Sequence, residues 1–217
     1  MTARPRGRSG RRAGDSGTSE AILEAARAQF AEHGYRGATI RAIAGRAGVD
    51  PALVHHFYGT KEALFAAAMQ LPVVPSEVLT AAFESAAAEH SPGELVVRTA
   101  LTLWESDGLK ETFLGLFKSA VTSEDAAFML REFMAESILG TLVRVVRVKG
   151  TGAEVEYRAA MVATQMVGLA MTRLVLGLPA VAEATVDELA ATIGPSVERY
   201  LIGEIALPDR FAEIGSH

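Results

Sequence analysis

The side chains best suited to chemistry gather in one short stretch: Arg41, His55, His56 and Lys61 surround the tetrapeptide Ala47-Gly48-Val49-Asp50, with Pro51, Ala52 and Leu53 directly after it. A helix-turn-helix needs a small residue and a glycine where two short helices approach and the chain reverses, and Ala47 and Gly48 meet that need. Val49 is expected under the turn, with Val54 and Phe57 pointing back towards Ile43. Pro51, Ala52, Leu53, His55 and His56 are left for exposed faces, and a face left exposed is free to enter a groove. Neighbouring helical residues diverge, so His55 and His56 do not form a metal site, and no other ligand cluster accompanies them. No Ser-His-Asp set, phosphate loop or pair of carboxylates stands in for an enzyme, so neither catalysis nor a cofactor is expected.

The chain behind this stretch has 217 residues, 49% of them hydrophobic, and no cysteine. Disulfides, thiolate zinc sites and cysteine redox sensing are excluded, and the composition suits a reducing cytoplasm. Ala, Leu and Val dominate and long stretches lack Pro, which makes the expected fold all-α. Residues 1–72 carry ten Lys+Arg against six Asp+Glu, a balance of +4, whereas residues 73–217 carry eleven against twenty, a balance of −9. A basic head on an acidic body fits a phosphate-binding module joined to one that does not bind phosphate. Arg4, Arg6, Arg8, Arg11 and Arg12 are followed by no apolar run, so residues 1–17 read as a disordered basic arm, not a secretory signal. The segment from Ala159 to Val181 is long enough for a bilayer, but Arg173, Gln165 and Thr172 make it a buried or interfacial helix, and no membrane is expected.

Periodicity predicts a helix from about Ser19 to His33, with Ile22, Leu23, Ala26 and Phe30 on one face and Gly34 as stop signal. Thr39 is placed to cap a second helix through Arg46, and Asp50 a third, with Pro51 in its first turn and Gly59 at its end. Thr60 then caps a fourth, starting at Lys61. Beyond Pro72 to Pro75, helical patterns span about 76–90, 92–106, 109–121, 124–148, 154–178 and 186–202, with Ser76, Ser123 and Thr185 as caps. Thr185 and Glu188 have capping-box spacing. The domains expected are 18–72 for the helix-turn-helix, 73–205 for a helical body and 206–217 for a flexible tail.

From Ala21 to Met69 the motifs Ala-Ile-Leu-Glu-Ala-Ala, Phe30, Gly34-Tyr35, Ala38-Thr39, Ile43-Ala44, Ala47-Gly48-Val49, His55-His56-Phe57-Tyr58 and Lys61-Glu62-Ala63-Leu64 fall in a familiar order and spacing. This run resembles the TetR family. The resemblance implies an N-terminal three-helix DNA-binding domain, a C-terminal helical ligand-binding and dimerisation domain, and a homodimeric repressor of a double-stranded operator. Carried over by position, Arg41 matches a residue that can reach a guanine edge, and Thr39 and Lys61 match phosphate contacts. Pro51, Ala52 and Leu53 match groove-facing positions and can meet thymine methyls. His55 stands where the family often has tyrosine, and either it or His56 can donate to a phosphate or a base edge.

For the body, the resemblance implies that the two long helices near 154–178 and 186–202 pack against their counterparts in a second copy. Ala159, Ala160, Ala163, Gly168 and Ala170 permit close approach, while Met161, Met166, Leu169, Leu174 and Leu176 supply apolar area. Two-fold symmetry places two recognition helices about one DNA turn (~34 Å) or more apart, which predicts a pseudo-palindromic operator. The middle helices are expected to enclose a small-molecule effector, with Trp104, Phe113, Phe117, Phe128, Met129, Phe133 and Met134 as candidate walls. An alternative is a helical sensor or scaffold that has lost DNA recognition; Thr39, Arg41 and Lys61 argue against it.

Overall fold

The computed structural model of the chain describes residues 11–86, 88–106, 108–150 and 152–208, with side chains from Ser16 onward. Residues 1–10 of the expected arm and 209–217 of the expected tail lie outside the described residues. Every regular element among those described is helical. By their contacts they form two compact units, Met1–Val73 with Ala120–Glu132, and Val74–Ser119 with Phe133–His217.

The first unit contains α1 (Arg11–Gly37), α2 (Ile40–Ala47), α3 (Pro51–Tyr58) and α4 (Lys61–Ala68). Helix α1 begins eight residues before the expected Ser19; polar and glycine-rich sequence carries no apolar period there, so the pattern did not reveal the helix. Ile22, Ala26, Phe30, Ile43, Ala44, Val54, Leu64 and Phe65 are buried and form the core. Phe30, Tyr35 and Phe65 meet at its centre, with ring centroids 4.9 Å apart for Phe30 and Phe65 and 5.0 Å for Tyr35 and Phe65, both edge to face. At Gly34 the backbone leaves helical geometry, with φ 72° and ψ −179°, before Tyr35–Gly37 resume it. Only glycine holds that conformation readily, and it also admits a close neighbour. A Cβ at Gly34 would lie 2.6 Å from Glu132 Oε2 and 2.8 Å from Phe128 Cε1. The same carboxylate oxygen accepts the Arg36 backbone N–H at 2.9 Å, which fastens the Ala120–Glu132 stretch to the end of α1.

The second unit holds α5 (Pro75–Ala86), α6 (Pro92–Glu105), most of α7 (Leu109–Thr122), α9 (Gly140–Val146), α10 (Ala153–Ala170), the short α11 (Pro179–Ala182) and α12 (Val186–Ile202). Helix α8 (Glu124–Phe133) lies mostly in the first unit and continues into a π-helical turn, Met134–Leu139. A second π-helical turn, Met171–Val175, follows α10. Both interrupt helices expected to be continuous, because apolar spacing records a face and not the hydrogen-bond register in which one residue is inserted. Leu79, Leu95, Val97, Leu101, Leu142, Val162, Leu189, Val197 and Leu201 form the core of this unit. Helix α6 crosses α12 so closely that a Cβ on Gly93 would sit 2.1 Å from the Gly194 carbonyl oxygen.

Ser76 does not cap α5. The helix starts at Pro75, whose missing N–H suits a first-turn position, and the Val74 carbonyl accepts the Glu77 and Val78 N–H groups at 3.1 and 3.2 Å. Ser123 and Thr185 do accept the expected bonds, from Ala126 at 3.3 Å and Glu188 at 3.2 Å. Ser91 and Glu94 form a second capping box at the start of α6, which the pattern reading missed. Arg173, the charge within the apolar stretch from Ala159 to Val181, pairs with Glu105 at 2.7 Å and donates to the Ala184 carbonyl at 2.9 Å. Buried Arg158 does similar work: it pairs with Glu154 at 2.8 Å and donates to the Tyr200 and Gly203 carbonyls at 3.1 and 3.0 Å. Among the described residues no helix is long and apolar enough to cross a membrane.

Candidate nucleic-acid interface

The site is built by three caps in succession. Thr39 Oγ1 accepts the Ala42 N–H at 3.1 Å, Asp50 Oδ1 accepts that of Ala52 at 2.8 Å, and Thr60 Oγ1 accepts that of Ala63 at 3.0 Å. Each such bond satisfies an N–H that a helix start leaves orphaned, worth about 1 kcal/mol. Gly48 closes α2 in the left-handed region, φ 69° and ψ 30°, with its N–H on the Ala44 and Gly45 carbonyls. The chain then reverses into α3, held from beneath by buried Val54. These short-range signals all point to the same two helices and turn, so this segment was legible from its residues.

Helices α2 and α3 leave Thr39, Arg41, Ala52, Leu53, His55 and His56 exposed, with Pro51 half-buried. Leu53 keeps 40% of its surface. On α2, Arg46 is ion-paired to Glu32 at 2.7 Å, whereas among the described residues nothing holds Arg41. Its guanidinium fork therefore stays available for bidentate pairing.

His55 and Lys61 have local partners that the sequence did not announce. His55 Nδ1 lies 2.9 Å from the Gly59 carbonyl oxygen. Lys61 Nζ donates to the Arg36 carbonyl at 3.3 Å and sits 4.7 Å over the Tyr35 ring, which ties α4 to the end of α1. Tyr58 does the same for α3: its hydroxyl donates to the Ser19 carbonyl at 3.0 Å and lies 2.7 Å from Ser19 Oγ. Nothing in local spacing pairs Tyr58 with a residue thirty-nine positions away; a tyrosine at the end of a short exposed helix is the only hint.

The candidate effector walls are not brought together in one unit. Met129 and Phe128 fall in the first, while Trp104, Phe113, Phe117, Phe133 and Met134 fall in the second. Trp104 lies 5.4 Å from Phe113, Phe113 lies 6.4 Å from Phe117, and Phe133 is buried. Two cavities occur elsewhere in the second unit. One of about 610 Å³ is lined by Ser91, Pro195, Glu198, Arg199, Ile202 and Gly203. The other, of about 280 Å³, is bounded by Thr164 and Gly168 of α10, Thr172 of the π-helical turn after it, Val181 and Ile193. Neither is lined by a predicted wall residue. Among the described residues no group of three His, Cys, Asp or Glu side chains could hold a metal ion.

Residues 22–68 match the family profile described as bacterial regulatory proteins, tetR family, and residues 91–201 match the profile described as tetracyclin repressor-like, C-terminal domain. The chain is 47% identical over 57 residues to the HTH-type transcriptional repressor AcnR of Corynebacterium glutamicum, a stretch covering 25% of this chain and 30% of that relative. The AcnR of Corynebacterium efficiens is 50% identical over 46 residues, 21% of this chain and 24% of its own. The chain thus matches less than a third of the length of these curated relatives. A TetR-family regulator of known crystal structure from Streptomyces coelicolor A3 is 40% identical, covering 88% of this chain and 98% of that one, with a TM-score of 0.42. With one profile spanning residues 91–201, half of the chain, and a second spanning the helix-turn-helix, the chain belongs to the TetR family of transcriptional regulators.

Proposed function

We propose that this regulator is a cytoplasmic repressor that binds a pseudo-palindromic operator as a homodimer and releases it when a small apolar or amphipathic ligand occupies its helical body. The observation that carries the DNA reading is the α2–Gly48–α3 corner, with an uncommitted Arg41 beside exposed Ala52, Leu53, His55 and His56. Repression is supported by the likeness to the two Corynebacterium AcnR repressors. Dimerisation is supported by Val167, Val175, Leu176 and Leu178, which stay 41–62% exposed along α10 and the turns after it, and by the small exposed residues Ala191, Thr192, Pro195 and Ser196 on α12. A ligand acts here only through its different affinities for the DNA-competent and incompetent states.

The test is fluorescence anisotropy on duplex DNA from upstream of the protein's own gene, against scrambled duplex, near physiological salt. Selective binding with two protomers per duplex is expected, and Arg41→Ala should abolish the selectivity and leave the dimer intact. Arg41 is the better probe because Lys61 also holds α1 in place. If Arg41→Ala bound the duplex as the parent does, the docking assignment would be wrong.

A further inference from the structure

Helix α3 ends in a tight corner. Gly59 has φ 71° and ψ −69°, and the Thr60 N–H reaches the Tyr58 carbonyl at 2.8 Å, so these three residues form a γ-turn of the rare positive-φ hand. Glycine tolerates that strain. The Gly59 N–H still closes the helix on the His55 carbonyl at 2.8 Å, and the turn swings the Gly59 carbonyl back onto the His55 ring, 2.9 Å from Nδ1. A carbonyl oxygen only accepts, so Nδ1 carries the proton. The neutral ring then keeps a bare lone pair at Nε2, on the edge turned away from Gly59. His55 is exposed on the same short helix as Ala52 and Leu53.

We propose that His55 is a specificity-determining residue whose Nε2 accepts a hydrogen bond from an exocyclic amino group in the major groove, adenine N6–H or cytosine N4–H. This rests on the DNA-binding reading above. Phosphate oxygens, guanine O6 and N7, and thymine O4 are themselves acceptors and cannot pair with that lone pair. A tyrosine at this position both donates and accepts, so it does not impose the same polarity. The γ-turn thereby sets which group on a base the recognition helix can read, although Gly59 itself touches no DNA.

The experiment selects from a randomised duplex pool with the full chain, then replaces each adenine of the selected duplex by purine and each cytosine by 2-pyrimidinone, one at a time. Both analogues lack the amino group. At one position per half-site the replacement is expected to weaken the parent protein roughly 3- to 10-fold, the scale of one net hydrogen bond. It should leave His55→Asn unchanged there. The asparagine amide N–H can still reach the Gly59 carbonyl, so the thermal midpoint of that variant should stay near the parent's, while the acceptor at Nε2 is gone. Long-range proton–nitrogen NMR correlation of the free protein should show His55 protonated at Nδ1. The assignment is overturned if His55→Asn loses affinity equally on every duplex with a salt slope shallower by about one, the mark of a phosphate contact. An Nε2-protonated ring overturns it as well. A pool from which the parent enriches no sequence removes the DNA-binding reading itself, a separate outcome. Should His55→Asn melt early, the parent decides alone: its His55 Nε2 resonance must shift with the selected duplex and not with the analogue.

Discussion

Gly34 and Arg158 are single positions on which each unit depends. At Gly34 the backbone occupies a region closed to most L side chains, and the space a Cβ would need is filled by Glu132 and Phe128. Gly34→Ala is therefore expected to lower the unfolding free energy by about 2 kcal/mol or more, measured by urea titration. A loss below about 0.5 kcal/mol would show that the neighbours give way. Arg158 keeps only 2% of its side-chain surface, and its removal strands the Glu154 carboxylate and two carbonyls at the end of α12. Arg158→Met should cost about 3 kcal/mol, as for other broken buried pairs, and the variant should melt earlier by calorimetry. The sequence showed Gly34 as a stop signal, since glycine ends helices by a local rule. It did not show Glu132 beside it or the Tyr200 and Gly203 carbonyls that Arg158 reaches, because contacts across tens of residues leave no trace in local spacing. For Lys61, spacing offered the side chain to phosphate, and the structure adds its hold on Arg36 and Tyr35.

Helix starts carry chemical signatures, and here most were readable: Thr39, Asp50, Thr60, Ser123 and Thr185 each accept a backbone N–H near the start of a helix. The Thr185 box has a measurable consequence. The Thr185 backbone N–H, and then its hydroxyl, hold the Glu188 carboxyl below its ordinary value of 4.5. Because the folded value is depressed, this stabilisation is fully present above 4.5 and disappears as pH falls through the lowered value. A carbon-detected NMR titration of Glu188 should show the depression, and Thr185→Ala, which removes the hydroxyl and keeps the backbone N–H, should bring it only part of the way back towards 4.5. An unchanged titration in that variant would mean that the backbone N–H, and not the hydroxyl, sets it. Helix interiors were less legible than their starts. The two π-helical turns follow apolar patterns that a regular helix would satisfy equally well, and the Gly93–Gly194 crossing joins two glycines that separately look like weak points in their helices.

Across the molecule, composition had already separated a basic first part from an acidic remainder. Affinity for DNA should accordingly fall steeply with salt, log K against log salt giving a slope of about −0.9 per phosphate neutralised. A flat response would contradict an interface built on the first unit's cations. The exposed apolar residues of the second unit lead to a different measurement. Val167→Glu places a charge where Val167, 41% exposed, belongs to the proposed dimer face, and sedimentation should find monomers at concentrations where the parent is dimeric. An unchanged dimer would move the interface elsewhere. The all-helical class was legible because half the residues are apolar and recur at helical spacing. The clustering of Ala120–Glu132 with the first unit was not, since it depends on Phe128 and Glu132 meeting Gly34 and Arg36. Trp104, the chain's one tryptophan, lies against Phe113 in the second unit. Indole emission is consequently a private reporter of that unit, whereas far-UV ellipticity sums the helices of both. Denaturation followed by the two signals together will superimpose if the units melt as one, and any ellipticity lost while the emission holds belongs to the part that carries the recognition helix.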